Sequence, residues 1–137
     1  MTKALIVDVH AEMYRDALRT EFPKLEFALF HKAAEVGGEL SDIDVMVMFG
    51  IELRDFMLAG ASKLKWIQSL ATGVDHFLRS PSLKPDVLIT SGRGIHGPPM
   101  REQVIYMMMG VSRDVVRLAG DQKAHFWERR QIGRAHV

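Results

Sequence analysis

The residues best suited to chemistry fall in two short stretches rich in small side chains. The first reads Leu70-Ala71-Thr72-Gly73-Val74-Asp75-His76. It follows a strand-like run and precedes a short helix expected to begin near Asp75, so its working groups are backbone amides. A Thr-Gly turn in that position aims successive N–H groups at an anion, because glycine lets the ligand approach and the helix end adds positive potential. Asp75 reads as a helix cap in preference to a catalytic acid. The second stretch, from Thr90 to Glu102, holds Gly92, Gly94, Gly97, Pro98 and Pro99. By residue type its glycines suit a phosphate loop. Their spacing is expected to fit neither the dinucleotide nor the Walker pattern.

The remaining polar and soft residues suggest less. His10, His31, His76, His96 and His125 are present, and His76 and His96 read as loop or helix-start residues near a cleft. Met107-Met108-Met109 reads as packing surface, since methionine fills irregular apolar gaps, and no metal site is expected. Asp8 is expected to hydrogen-bond within a loop. The absence of cysteine excludes disulfides and thiolate metal sites. Eighteen Lys and Arg against 17 acids leave a net charge of +1, without the basic stripe that nucleic acid requires. The most apolar run, Val104 to Val111, is far short of a membrane span. Met1 to Leu5 lacks the tripartite pattern of a signal peptide, and a cytoplasmic location is expected.

The elements that must position these stretches alternate. Ala4 to Val9, Leu25 to Phe30, Ile43 to Phe49, Leu64 to Leu70 and Val87 to Thr90 read as five short strands, several of them continuous apolar runs of the kind buried in parallel sheets. Between them lie a helix carrying Met13, Ala17 and Leu18 and stopped by Pro23, a weak helical segment from Lys32 to Val36, and a short helix around Leu53, Phe56 and Met57. Strands alternating with helices imply an α/β fold with a parallel sheet and right-handed crossovers. A parallel α/β sheet binds ligands beyond the carboxyl ends of its strands, where Thr72 and Gly73 fall. A long helix is expected from Pro98-Pro99 through Leu118. Proline suits its first turn, and Val104, Met107, Met108, Val111, Val115 and Leu118 recur at helical spacing. Gly110, inside that helix, suggests close packing against another backbone.

Taken together and in this order, these pieces resemble the D-isomer-specific 2-hydroxyacid dehydrogenase family. The resemblance rests on Leu64 to His76, on Ser91 to Met109 after the fifth strand, and on Asp121 to Arg130. It covers essentially all of residues 1–130, and within the family the glyoxylate and hydroxypyruvate reductase branch is the most similar. Arg101 departs from the family pattern, where a small residue usually precedes the Glu.

The resemblance implies a flavodoxin-like substrate-binding domain over residues 1–97. Residues 98–130 would then be an interdomain helix and the start of a truncated Rossmann domain. It implies an oxidoreductase exchanging a hydride between NAD or NADP and a 2-keto or D-2-hydroxy acid. Thr72 and Gly73 would hold the substrate carboxylate, Phe49, Gly50 and Ile51 would lie beside the substrate, and Pro99 and Met100 would approach the nicotinamide. No histidine here matches the family's catalytic one. The glycine-rich turn, the carboxylate-binding Arg and the Glu–His pair would lie further on, which makes the chain an inactive front part of a homodimeric enzyme. Gln131 to Val137 is what CAG ATC GGA AGA GCA CAC GTC encodes, a string that looks like a short-read sequencing adapter, and is expected to be artefact. Two rivals are a non-catalytic flavodoxin-like module, such as a receiver, and a family member recruited as an NAD-sensing interaction factor. The receiver is disfavoured because Asp8 lacks an acidic neighbour and the third strand ends in Phe49-Gly50 rather than an Asp.

Overall fold

The computed structural model describes residues 2–129; the suspected artefact at 131–137 lies outside them. The chain divides into two compact units, Met1–Arg93 and Gly94–Val137.

The first unit is a five-stranded, all-parallel α/β sheet in the order β2-β1-β3-β4-β5. Its strands are β1 (Lys3–Val7), β2 (Glu26–Phe30), β3 (Val45–Met48), β4 (Trp66–Ser69) and β5 (Leu88–Ser91). The flavodoxin-like expectation is met, with strands shorter than the apolar runs suggested. β1 stops at Val7 because Asp8 begins the turn into α1 (Ala11–Glu21). As expected for Asp8, its carboxylate accepts a loop hydrogen bond, from the His10 N–H at 2.8 Å. α1 ends where the Phe22 N–H closes on the Leu18 carbonyl, one residue before Pro23, which has no N–H with which to continue.

The register aligns the strand ends. Phe30 pairs with Val7, Val7 with Met48, Met48 with Ser69 and Ser69 with Ser91, so all five carboxyl ends form one row. The opposite edge is tied by Asp44, whose carboxylate accepts from Lys65 Nζ at 2.9 Å and from the Lys3 N–H at 3.1 Å. Those two donors, Lys65 first, hold the Asp44 carboxyl below its usual range.

The two faces differ. On one, Leu5, Val7, Met46, Met48 and Ile67 pack with Met57 and Leu58 of α2 (Asp55–Gly60) and Phe77 of α3 (Asp75–Leu78). Phe77 is fully buried; a buried side chain of this size contributes about 1.5–3 kcal/mol, and it fixes α3 against the sheet. The other face carries α1 alongside an open groove of about 1030 Å³, lined by Tyr14, Leu18 and Phe22 of the α1 segment and by Val45, Val47, Trp66 and Gln68 of the strands.

In the second unit the single long helix expected from Pro98 to Leu118 is two helices, α4 (Gly97–Ser112) and α5 (Val115–Lys123). The break is Asp114, in the left-handed region at φ 49°, ψ 48°, a conformation that Asp tolerates better than most side chains. Ser112 Oγ donates to the Met109 carbonyl at 3.1 Å, which also accepts from the Arg113 N–H at 3.0 Å and closes the last turn. The expected stripe is therefore cut before Val115. Within α4 the apolar residues also spread well round the axis, because Ile105, Met109 and Tyr106 lie roughly 100–200° away on the helical wheel from the stripe of Val104, Met108 and Val111. All six are exposed. At Gly110 a Cβ would meet nothing within 4 Å, so the close approach expected there is not made among the described residues.

Exposed apolar side chains at this density mark an interface or an aggregation liability. The purified chain is expected to enhance the fluorescence of a hydrophobic dye and to sediment above its monomer mass. A clean monomer without dye binding would contradict this.

Candidate functional site

The carboxyl row of β3 and β4 is where Phe49, Gly50, Ile51, Thr72 and Gly73 gather. β4 leads through Leu70, whose N–H donates to the Met48 carbonyl at 3.0 Å, into the loop Ala71–Val74. That loop is shaped from beneath by Ser69, a side chain with no solvent exposure. Ser69 Oγ lies 3.1 Å from the carbonyls of both Ala71 and Gly73, and it accepts from the Ala71 N–H at 3.2 Å. The Ala71 carbonyl also accepts from the Gly92 N–H at the end of β5, at 3.2 Å. The last β4 carbonyl, that of Ser69, takes a bond from Gln68 Nε2 at 2.8 Å; Gln68 Oε1 in turn accepts from Thr90 Oγ1 at 2.6 Å.

With these bonds assigned, the backbone N–H groups of Thr72, Gly73, Val74, Asp75 and His76 have no acceptor among the described residues. Thr72 and Gly73 are exposed and Val74 is half-buried. A run of unpaired donors on an accessible loop suits a small anion, although the Asp75 carboxylate, with Oδ2 3.5 Å from where a Gly73 Cβ would stand, lies beside it. Two details of the sequence reading need correction. Asp75 is the first residue of α3, the cap position is Val74, and no side-chain cap bond forms. α3 has only four residues, so its macrodipole adds little and the amides themselves supply the positive potential.

The β3 end meets the same loop. Gly50 opens a 3-10 turn (Gly50–Glu52) and is buried, while Phe49 and Ile51 on either side are exposed. A Cβ at Gly50 would stand 2.9 Å from His76 Cβ and 3.3 Å from Phe77 Cε2. The structure thus brings Gly50 against the helix that follows Thr72-Gly73. α3 is held from its other end by Asp55, whose carboxylate accepts from the hydroxyls of Ser80 and Ser82 at 2.6 Å each. These bonds, Ser80 first, keep the Asp55 carboxyl below its usual range. Replacing Gly50 with Ala is expected to push α3 outward and cost about 1–3 kcal/mol, the usual range for overpacking. The urea midpoint should fall, and the His76 and Thr72 amide resonances should shift. An unchanged midpoint would mean that the contact is slack.

Pro99 and Met100 lie in the first turn of α4, in the second unit, and are exposed. The stretch before them corrects the reading of its spacing, since Gly92-Arg93-Gly94-Ile95-His96-Gly97 does satisfy Gly-x-Gly-x-x-Gly, between a strand and a helix. It is still a poor pyrophosphate cradle. Pro98 and Pro99 remove two of the first-turn N–H groups that such a ligand needs, and the Met100 N–H is taken by the His96 carbonyl at 3.0 Å. A Cβ at Gly97 would meet nothing within 4 Å among the described residues. The described residues therefore do not by themselves fit a dinucleotide. They also hold no group of three or more His, Asp or Glu placed for a metal ion, and no helix among them is long and apolar enough to cross a membrane.

Solved structures decide the fold. A D-isomer-specific 2-hydroxyacid dehydrogenase family protein from Aeromonas salmonicida subsp. salmonicida superposes with a TM-score of 0.83 at 23% identity, over 96% of this chain and 42% of its own. The chain has the fold of part of a D-isomer-specific 2-hydroxyacid dehydrogenase. Two more such dehydrogenases agree. The Xanthobacter autotrophicus protein, in complex with NADPH and MES, gives a TM-score of 0.71 at 18% identity, over 95% of this chain and 42% of its own. The D-lactate dehydrogenase from Aquifex aeolicus, complexed with NAD and lactic acid, gives 0.74 at 18% identity, over 97% and 40%. The chain thus spans about two-fifths of the length of each dehydrogenase. No protein-family model matches it, and no curated protein does.

Ser69 is the loop-shaping residue that the sequence reading passed over. Its signal was faint: a polar side chain at an inward-facing strand position, directly before a loop of small residues.

Proposed function

We propose that this chain is the substrate-binding front part of an NAD- or NADP-dependent D-2-hydroxyacid dehydrogenase, and that its own task is to hold the substrate carboxylate. The observation that carries this reading is the run of unpaired backbone N–H groups from Thr72 to His76 at the carboxyl edge of a sheet with this fold. The substrate is a small 2-keto or 2-hydroxy acid, with glyoxylate and hydroxypyruvate the preferred candidates. The whole enzyme is a cytoplasmic homodimer.

Within that enzyme the Thr72-Gly73 loop accepts the carboxylate, while Phe49, Gly50 and Ile51 form the neighbouring wall. Charge-assisted bonds from backbone amides orient the acid without needing a titratable group. A nicotinamide cofactor, when bound, supplies or receives the hydride; Pro99 and Met100 are the residues of this chain proposed to meet it.

Binding is testable without turnover. Titrating the ¹⁵N-labelled chain with oxalate, an unreactive dicarboxylate mimic of a 2-keto acid, should shift the amides of Thr72, Gly73 and Val74 before any at the Asp44 edge. Uniform movement of all amides, or none at the loop, would remove the basis of the assignment.

A further inference from the structure

We infer that Ser69 is the positioning residue of this loop, aiming the amides of Thr72 and Val74 outward; this rests on the carboxylate-holding role proposed above. The argument is geometric. A trans peptide is planar, and its C=O and N–H point in opposite directions. The Ala71 carbonyl turns inward to Ser69 Oγ at 3.1 Å and to the Gly92 N–H at 3.2 Å. The N–H on the far side of that same peptide, that of Thr72, must therefore point away from the core. The Gly73 carbonyl also turns to Ser69 Oγ, at 3.1 Å, which sends the Val74 N–H outward in the same way.

One hydroxyl thus organises two peptides. Its single proton is shared between the two carbonyls, and its lone pair takes the Ala71 N–H at 3.2 Å, so the hydroxyl is used as donor and acceptor. Its register explains why it can do this. Ser69 is the last residue of β4 and pairs with Met48 and Ser91 in the two flanking strands, so its Cα is fixed on both sides. Ser69 has no solvent exposure, and water therefore cannot replace the hydroxyl. Neither alanine nor cysteine supplies an equivalent O–H.

The test compares Ser69→Ala and Ser69→Cys with the unmodified chain. Cysteine keeps the side-chain volume and offers only a weak donor, so it carries the test if the alanine variant does not fold. In both variants the Ala71 amide should lose hydrogen-exchange protection and the Thr72 and Val74 resonances should move, with Met46 to Met48 unchanged. Oxalate affinity measured on the folded fraction should fall about five- to ten-fold, the weight of a lost orienting hydrogen bond. A purely structural serine would lower the urea midpoint and leave that affinity untouched. If the unmodified chain binds oxalate at the loop and both variants bind it equally well, the positioning role is overturned and the carboxylate site stands. If the unmodified chain shows no loop binding, the carboxylate reading fails, and the ligand-free amide shifts still decide what Ser69 does to the loop. Unmoved Thr72 and Val74 resonances would overturn the role outright.

Discussion

Supplied with NADH and either glyoxylate or hydroxypyruvate, the purified chain is expected to show no turnover. Hydride transfer to a keto acid needs a bound dinucleotide and a group that delivers a proton within about 2.6–3.2 Å of the forming hydroxyl. The described residues form no fitting cradle for the first, and on the proposed reading none of their histidines, His76 beside the loop included, is the second. Their one strand–turn–helix stretch with Gly-x-Gly-x-x-Gly spacing runs into Pro98-Pro99, which lack the N–H groups a pyrophosphate would use. The His31–Glu12 pair, with His31 Nε2 3.1 Å from Glu12 Oε1, has the residue types of a proton-transfer dyad. His31 follows β2, however, three strands across from β4 in the order β2-β1-β3-β4, about 14 Å at the usual strand spacing. It cannot reach an acid held at Thr72.

The missing parts belong, on the proposed reading, to chain that follows in the intact gene. Long-read sequencing of the source DNA through the codons for Arg130 and Gln131 should show the frame continuing into a strand and then a Gly-x-Gly-x-x-Gly turn free of first-turn prolines. An Arg, a Glu and a His should follow in that order. Turnover by the pure chain, or a continuing frame without the glycine-rich turn, would sink the dehydrogenase reading and favour a stand-alone binding module.

How much of this was legible in the sequence depends on whether the signal was local. The five strands were, since runs such as Ala4 to Val7 and Val45 to Met48 carry their burial in their composition. The position of the amide loop was also legible, from small residues following a strand. Which amides are free was not, because that depends on where the Ser69 hydroxyl points and on a bond from Gly92 in the next strand. The break at Asp114 escaped for a related reason. No glycine or proline marks it, and the periodic residues on either side read as one helix. Gly92-Arg93-Gly94-Ile95-His96-Gly97 shows the converse. Its spacing was in plain view and was misjudged, yet the two prolines that disqualify it as a pyrophosphate cradle were equally local.

In the full-length enzyme, Gly73→Val is expected to raise KM for the keto acid about 10- to 100-fold, the cost of losing one or two charge-assisted hydrogen bonds to a carboxylate. The structure separates this effect from unfolding. A Cβ at Gly73 has Asp75 Oδ2 at 3.5 Å as its nearest contact, an ordinary van der Waals distance, and Gly73 has no left-handed φ to be strained. The added isopropyl group should therefore sit on an exposed loop, with the urea midpoint nearly unchanged, and obstruct the ligand instead. Gly50→Ala makes the useful contrast: a smaller side chain at a buried position, 2.9 Å from His76 Cβ, should cost stability first. Nucleotide affinity should be the same in the Gly73 variant as in the parent, since the carboxylate loop is proposed to touch only the acid. Because that clamp is made before the chemical step, most of the loss belongs in KM, with kcat recovered at saturating substrate. Equal losses of keto acid and nucleotide affinity would point to a global disturbance. An unchanged KM would show that the acid is held somewhere other than at Thr72 and Gly73.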